Sequence, residues 1–323
     1  MFAEPVFRKR KWRAALAAVV SGAMIAFGGS SAAAAAEDGM WAFREAYLAV
    51  GQDNRVFRED FTFFGPAFHA DVDCQGQLMR NGSLRMSGEL DWVFTDLSVG
   101  TTQQKKIPFY VEQTGGRMTL YANRNGTWGK HSLWEIPSRI ANAIKTTDVD
   151  TLKENMAAVK SVELLSETEK QRSMRIVLDG KKLAALVEKY GAVDKGSLTQ
   201  DELEQEGVFL RRMGRALESV DLTVNWVVDK TSWRTMTIGV SFTDLMRAYA
   251  KGVLKEAEEG SIKLGDEERA FLDTLGYYSE LQSYMTYLKD SDKVSPLPAA
   301  ARSAAERDIF EDLRAEAAST VSK

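Results

Sequence analysis

The sequence has few of the residues that usually support catalysis or metal binding. Its 323 residues include one cysteine, Cys74, and two histidines, His69 and His131. A single thiol excludes an internal disulfide framework and an all-cysteine metal site. The short motifs of serine hydrolases, zinc proteases, P-loop enzymes and dinucleotide-binding enzymes are missing too. The sequence therefore predicts a protein that is not an enzyme, with no catalytic residue and no cofactor.

Neither sign of charge is in large excess, and proline is scarce. The chain has 42 Lys+Arg against 46 Asp+Glu, a net charge of -4, 44% hydrophobic residues and six prolines. These values exclude a disordered chain, a collagen-like repeat and a polytopic membrane protein. Nucleic acid is not expected as a partner, because binding it usually requires a basic patch.

The first 36 residues have the composition of a secretory signal peptide. Basic residues cluster at positions 8–13, an uncharged stretch follows at 14–29, and small residues lead to the alanines at 34–36. The uncharged stretch, about 16 residues, is shorter than the roughly 20 needed to span a membrane. We expect cleavage after Ala36, the alternative being an uncleaved membrane anchor.

Cleavage would change both the charge and the location of the protein. The segment carries five of the 42 basic and one of the 46 acidic residues, so the remaining chain has a net charge of -8. Because Cys74 is far from the segment, lipidation of an N-terminal cysteine is not expected. The sequence thus predicts an exported protein of the bacterial periplasm or cell envelope, soluble and without a transmembrane span after cleavage. The oligomeric state stays open.

Alternation of apolar and polar residues predicts antiparallel strands in the first half of the chain. Even positions are apolar or small over residues 68–78, and the same holds over residues 84–94. Because both strands bury their even positions, a three-residue loop must pair Leu78 with Leu84 and Val72 with Leu90. Further strands are predicted at 107–111, 118–122, 128–134, 161–178, 222–228 and 236–242, with turns at Gly115-Gly116 and Asn125-Gly126.

Apolar residues spaced by three and four predict helices between and after these strands. The expected helices cover residues 40–50, 149–159, 181–190, 199–217, 245–259, 266–289 and 299–318. The resulting fold class is α+β, a curved antiparallel sheet or open half-barrel covered by helices, with a helical C-terminal extension. The expected organisation is a signal peptide at 1–36, a half-barrel domain at 37–259 with a helical insertion around 181–218, and a helical region at 260–323.

Four carboxylates are expected on the outer face of the first predicted hairpin. The register places Asp71 opposite Asp91 and Asp73 opposite Glu89, and like charges directly opposed destabilise a sheet. A cation, a basic partner or Arg85 must relieve the repulsion, or the register slips by two. Strand spacing lacks the loop geometry of a calcium site, so a solvated face is preferred to a metal site. Both histidines are expected to be ordinary surface or half-buried residues, and Cys74 an inert core thiol.

Aromatic residues and methionines concentrate on the predicted inner faces of the strands. They either form a packed core or line a space that accepts an apolar ligand. The residues predicted to line such a space are Met86, Trp92, Phe94, Phe109, Leu120, Trp226 and Ile238. Met118 and Met236 are expected on the same faces.

Three segments resemble a known family of envelope proteins. They are residues 110–121 (YVEQTGGRMTLY), 126–128 (GTW) and 226–233 (WVVDKTSW). Their order is similar to that of the periplasmic lipoprotein-carrier and lipoprotein-localisation superfamily, LolA-like and including LppX-like proteins, over about residues 40–250. The resemblance implies an open half-barrel, no enzymatic activity and binding of lipids or acylated proteins. The chain departs from the family at 181–218 and 260–323.

Together these patterns favour an exported, non-enzymatic cell-envelope protein that binds a lipid, another apolar ligand or a lipidated protein in the concave face of its sheet. The alternative is a structural or protein-interaction module of the envelope with a filled core.

Overall fold

The fold is described from a computed structural model of the chain. The described residues are 38–50, 55–65, 68–78, 83–96, 101–114, 117–135, 156–190, 200–289 and 294–307. The predicted signal peptide at 1–36 lies outside them, as do most of the helix predicted at 149–159 and the predicted loops at 80–82 and 115–116. No helix among the described residues has the length and hydropathy required to span a membrane.

Within the described residues the chain forms one antiparallel sheet of eleven strands. The strands lie in the order β6-β5-β4-β3-β2-β1-β11-β10-β9-β8-β7, so β6 and β7 form its two edges. Their bounds are β1 Arg55–Phe64, β2 Phe68–Leu78, β3 Leu84–Asp96, β4 Thr101–Thr114, β5 Arg117–Arg124, β6 Thr127–Glu135, β7 Val159–Glu167, β8 Gln171–Leu178, β9 Leu222–Asp229, β10 Thr235–Ser241 and β11 Glu280–Tyr287.

Six helices accompany the sheet in the described part of the chain. They are α1 Asp38–Val50, α2 Gly180–Tyr190, α3 Gln200–Glu218, α4 Thr243–Glu258, α5 Asp266–Tyr278 and the short α6 Ala299–Arg302. Helix α1 packs on β7 and β10, α4 packs on β11, and α2 to α5 pack against one another in sequence. The predicted α+β class, a curved and open antiparallel sheet covered by helices, is confirmed.

The predicted register of the β2–β3 hairpin is confirmed. Leu78 pairs with Leu84 and Val72 pairs with Leu90. The turn between β5 and β6 is the expected Asn125-Gly126, with φ of 51° and 84°. Positive φ at both central residues is the geometry of a type I′ turn, which matches the twist of the strands it joins. Local pattern therefore determined pairing in this half of the sheet.

One glycine marks a point where two strands approach closely. A Cβ atom on Gly88 of β3 would lie 2.2 Å from the carbonyl oxygen of Asp73 and 2.4 Å from Cβ of Cys74 on β2. Any larger residue would force these strands apart. Glycine at this position therefore permits the tight local contact within the curved sheet.

The helix predicted at 266–289 is wrong beyond Tyr278. Helix α5 ends there, Ser279 is extended, and residues 280–287 form β11, which pairs with both β1 and β10. β11 joins the two halves of the sheet. The region after residue 259 therefore supplies a central strand as well as helices.

The helix predicted at 299–318 is also too long. Helix α6 ends at Arg302, and residues 303–307 run along the edge strand β6 instead. Lys130 forms a parallel bridge with Glu306, and the Lys130 amide donates to the Ala305 carbonyl at 3.1 Å. Residues 308–318 lie outside the described part.

Two smaller predictions need correction. Val159 begins β7 and does not continue the preceding helix. Met236 is 38% exposed, because the register between β9 and β10 shifts between Thr235 and Thr237 and puts Thr235 on the buried side. The bulge accounts for the error, since strict alternation through a bulge assigns residues to the wrong face.

Candidate ligand-binding face

One half of the inner sheet face is a filled core. Trp226 of β9 is completely buried, and its ring makes an edge contact with Phe43 of α1 at a centroid distance of 5.6 Å. Its indole nitrogen donates to the Thr235 hydroxyl at 3.1 Å. Met174 and Ile176 of β8 are equally buried. The half of the sheet beneath α1 therefore leaves no open surface around these residues.

The other half of the inner face is less completely covered. On strands β2 to β5 the described inward residues include both fully buried and partly buried side chains. The partly buried apolar residues of this group lie in two cross-strand rows, one on each side of the row formed by Cys74, Gly88 and Phe109, and we call the two rows together the apolar wall. Its residues are Val72, Met86, Leu90, Val111 and Leu120.

The predicted lining residues fall into three groups. Met86 and Leu120 belong to the apolar wall, whereas Phe109, Trp226 and Ile238 are buried. Trp92 and Phe94 have backbones in β3, where they pair with Lys105 and Gln103, but their side chains lie outside the described part. The structure thus places the predicted residues on both halves of the face and does not gather them into one site.

Strand β1, which was not among the strands predicted from the sequence, contributes an ionisable residue to the inner face. Its inward residues are Phe57, Glu59, Phe61 and Phe63, all buried. Glu59 is 3% exposed and lies between Cys74 of β2 and Met285 of β11. Residues 55–64 alternate between apolar and polar residues, and a carboxylate occupies one of the apolar positions. This pattern is the sequence signal that could have revealed both β1 and Glu59.

The Glu59 carboxyl group has one hydrogen-bond partner for two oxygens. The Ser283 hydroxyl donates to Oε1 at 3.0 Å. Oε2 is buried and has no hydrogen-bond partner in the described structure. Burial raises the pKa of Glu59 to about 7, the Ser283 hydrogen bond lowers it in part, and the nearby charge of Asp60 raises it further. Native polar groups this deeply buried are usually paired, so Oε2 requires an explanation.

The four predicted carboxylates do lie opposite one another on the outer face. Asp71 pairs with Asp91 and Asp73 with Glu89. Among the described residues no group of three or more His, Cys, Asp and Glu could hold a metal ion. Side chains from the flanking strands explain how the pairing is tolerated.

Cations on β1 and β4 relieve the repulsion. The Arg58 guanidinium donates to both oxygens of Asp73, at 3.0 and 2.7 Å. Lys106 Nζ lies 2.8 Å from Glu89 and 3.5 Å from Asp91. Arg85, which the sequence suggested for this role, lies near Glu112 instead. The outer face is therefore a solvated ladder of alternating charges.

The histidines and the cysteine occupy ordinary positions for a sheet protein. His69 is partly buried on the outer face, with Nε2 2.5 Å from Asp71 Oδ2. His131 is buried in β6 opposite Leu120. Cys74 is buried on the inner face, and burial raises its thiol pKa well above the ordinary range. A thiol in this state is a poor nucleophile.

An aromatic and cationic cluster holds the turn between β9 and β10. Trp233 has a φ of 58°, which is unusual for a large side chain. The Arg172 guanidinium lies 4.3 Å from its ring centroid, and the Trp41 ring makes an edge contact at 4.9 Å. Asp229 Oδ1 accepts hydrogen bonds from the amides of Thr231 and Ser232. These contacts stabilise a strained turn.

The fold defines an α+β protein built on an open, curved antiparallel sheet whose inner face is largely apolar. No model of a known protein family matches the sequence, and no curated protein sequence matches it. Among solved structures the chain is similar to the crystal structure of LprF from Mycobacterium bovis, with 11% sequence identity over 76% of this chain and 90% of that chain, at a TM-score of 0.34. This distant similarity concerns the fold alone and assigns no ligand or activity.

Proposed function

We propose that the protein is an exported, non-enzymatic component of a bacterial cell envelope that binds a lipid, another apolar ligand or a lipidated protein on the concave face of its sheet. The observation that carries the proposal is the apolar wall on β2 to β5. Five apolar side chains there stay partly buried, whereas Met174, Ile176, Val224, Trp226 and Val228 on β8 and β9 are fully buried. Sites for apolar ligands are concave and lined mainly by such side chains.

The composition of the wall supports a flexible, elongated ligand. Val72, Leu90, Val111 and Leu120 are aliphatic, and Met86 adds an adaptable thioether. Acyl chains gain affinity from buried area alone, at about 25 cal/mol per Å², so they need no polar partner along most of their length. Methionine accommodates ligands of varied shape.

Binding of an uncharged fluorescent apolar probe, N-phenyl-1-naphthylamine, tests the proposal, with mass spectrometry of lipids extracted from the purified protein as a second readout. We expect Leu120→Gln to weaken probe binding about tenfold, because burying one leucine against a ligand contributes roughly 1.5 kcal/mol or more.

The matched control is Thr119→Gln, the preceding residue of β5. Thr119 pairs with Glu112 and Ser132 on the opposite face of the sheet, so this change should leave probe binding unaffected. If the wild-type protein binds no probe and yields no lipid, the proposal is wrong.

A second candidate is a protein-interaction module of the envelope whose core is filled. The observation in its favour is the exposed aromatic surface of α5, where Phe271, Tyr277 and Tyr278 are 36%, 59% and 66% exposed. Replacing Tyr277 and Tyr278 by serine should then abolish capture of a partner from envelope extracts and leave probe binding unchanged. Under the lipid-binding proposal the same replacement alters neither partner capture nor probe binding.

A further inference from the structure

The two edges of the described sheet are protected in different ways. On β7 the register with β8 shifts around Lys160 and again around Leu165. Bulges of this kind keep a further strand from pairing with an edge. On β6 the register with β5 is regular from residue 127 to residue 132. Residues 303–307 of the same chain run along that regular stretch. β6 is therefore the edge on which a further strand can pair.

Backbone pairing holds the C-terminal part of the described chain on β6. We call residues 299–307, which comprise α6 and the five residues after it, the edge segment. The Lys130 amide donates to the Ala305 carbonyl at 3.1 Å, and the Arg307 amide donates to the Lys130 carbonyl at 2.9 Å. The edge segment therefore binds β6 as an added parallel strand, the mode by which many sheets bind extended peptides.

Two side chains of the edge segment strengthen this pairing. Glu306 Oε1 accepts a hydrogen bond from the Ser132 amide at 2.8 Å and lies 3.9 Å from His131 Nδ1. Ala301 is completely buried, and α6 packs on β5 and β6. All these contacts belong to the edge segment and the strands beneath it. They would form equally well if the segment came from another copy of the chain.

The connection that carries the edge segment is short for its task. β11 ends at Tyr287, six strand positions from β6 in the sheet. That distance is about 29 Å along the sheet, whereas residues 288–298 reach about 40 Å when fully extended. Pro296 and Pro298 stiffen this connection. Short hinge connections with little slack favour exchange of the segment that they carry between two copies.

Charge also favours a second copy as the occupant of the edge. The edge segment contains Arg302, Arg307 and one carboxylate, Glu306, and so carries +1. The rest of a chain at -8 carries -9. The segment of one copy is therefore attracted to the body of another copy as well as to its own.

We propose that the β6 edge is an interaction surface for a second copy of this chain, and that two copies form a dimer by exchanging their edge segments. The arrangement is a closed, symmetric one in which each β6 receives the segment of the other copy. It goes beyond the proposed function and does not depend on lipid binding. Because the contacts are the same in both arrangements, protein concentration decides between them. A tethered segment has an effective concentration of about 1 mM, so dimers accumulate as the protein approaches that concentration.

Sedimentation velocity of the purified protein between about 0.01 and 1 mM tests the exchange. We expect the wild-type dimer fraction to rise over this range. Ala301→Asp should remain monomeric, because a carboxylate cannot occupy a completely buried position without a partner. The matched control is Ala300→Asp, the preceding and exposed residue of α6, which should dimerise like the wild type. Circular dichroism checks that both variants are folded.

A second variant avoids any change in a buried position. Glu306 is exposed, and Glu306→Lys removes the hydrogen bond from the Ser132 amide, so the dimer fraction should fall here too. A fluorescein-labelled peptide of residues 299–307 provides an independent readout by fluorescence anisotropy. It should bind Ala301→Asp at least tenfold tighter than the wild type, whose own segment competes for the edge. The same peptide with Glu306→Gln should bind about tenfold more weakly, because it loses a charge-assisted hydrogen bond.

Each contrary outcome has a definite meaning. A wild-type protein that stays monomeric over the whole range contradicts the inference, as does equal binding of the peptide to the wild type and to Ala301→Asp. If Ala301→Asp dimerises more strongly than the wild type, the freed β6 edges pair directly and the exchange is wrong. Loss of the dimer on replacing Tyr277 and Tyr278 by serine would assign the interface to α5 and overturn the inference.

Discussion

Glu59 is the residue at which burial and charge oppose each other in this fold. A partly paired carboxyl group in a buried sheet face destabilises the folded state, and an apolar residue of similar size would pack there at lower cost. Its presence is typical of a functional site, where local stability is lower than the fold could attain. The same group therefore controls how stability depends on pH.

At the residue scale, we predict that Glu59→Gln stabilises the protein more at pH 8 than at pH 5. The folded pKa of about 7 lies above the ordinary value of 4.5. Between these values the unfolded chain releases a proton that the folded protein retains, so wild-type stability falls as pH rises. The variant lacks this loss, so the difference between its free energy of unfolding and that of the wild type should grow by about 2.5 kcal/mol from pH 5 to pH 8.

Urea unfolding at pH 5, 6, 7 and 8 measures this difference. The charged group that acts on Glu59 is Asp60 on the same strand, while Cys74 stays protonated throughout because burial raises its pKa. Asp60→Asn serves as the control and should show no such growth. An equal advantage of Glu59→Gln at pH 5 and pH 8 would contradict the prediction.

At the element scale, β11 shows how tertiary pairing overrides a local pattern. Leu275, Tyr278, Leu281 and Met285 continue one helical stripe, yet Leu281 and Met285 also fit the alternation of a strand. Both β1 and β10 present backbone groups that need a partner, and β11 satisfies the two edges at once. Pairing of buried backbone groups decides the conformation here.

This arrangement predicts that residues 37–259 do not fold alone. Without β11 the facing edges of β1 and β10 lose their partner, and the inner side chains Leu281 and Met285 are lost from the core. A chain of residues 37–307 should fold cooperatively. Circular dichroism during urea titration compares the unfolding of the chain 37–259 with that of the chain 37–307. A cooperative unfolding transition in the shorter chain would show that the first 259 residues form an independent domain.

At the scale of the whole molecule, the proposed role depends on export. The leader predicted at 1–36 carries five of the chain's 42 basic residues and one of its 46 acidic residues, so its removal would leave an acidic protein at -8. The outer sheet face already pairs its carboxylates with Arg58 and Lys106. The excess negative charge should keep the protein soluble once exported.

We therefore expect the protein recovered from the envelope fraction of a bacterial host to begin at Glu37. Intact mass spectrometry and N-terminal sequencing measure this directly. Replacing Ala34 and Ala36 together by arginine should block cleavage at this position, because the processing site requires small residues. The control Glu45→Arg, in α1, should be processed normally. Recovery of a chain that begins at Met1 would contradict the prediction.

Strict local periodicity in the sequence was sufficient for much of the fold. The β2–β3 register, the Asn125-Gly126 turn and the helices α1 to α4 follow from alternation, spacing and turn residues that act over a few neighbours. The opposed carboxylates of β2 and β3 were likewise predictable, because they depend on one hairpin register.

Only the tertiary structure decided the rest, because those features depend on residues far apart in the chain. The pairing of β1 with β11 brings Ser283 to Glu59 across 224 positions. Residues 303–307 likewise pair with the edge strand β6, which is distant in the sequence. Which half of the concave face is filled depends on where α1 packs. The sequence by itself thus determined most of the hairpins and their faces, while long-range pairing added β11 between β1 and β10 and decided which polar group lies inside.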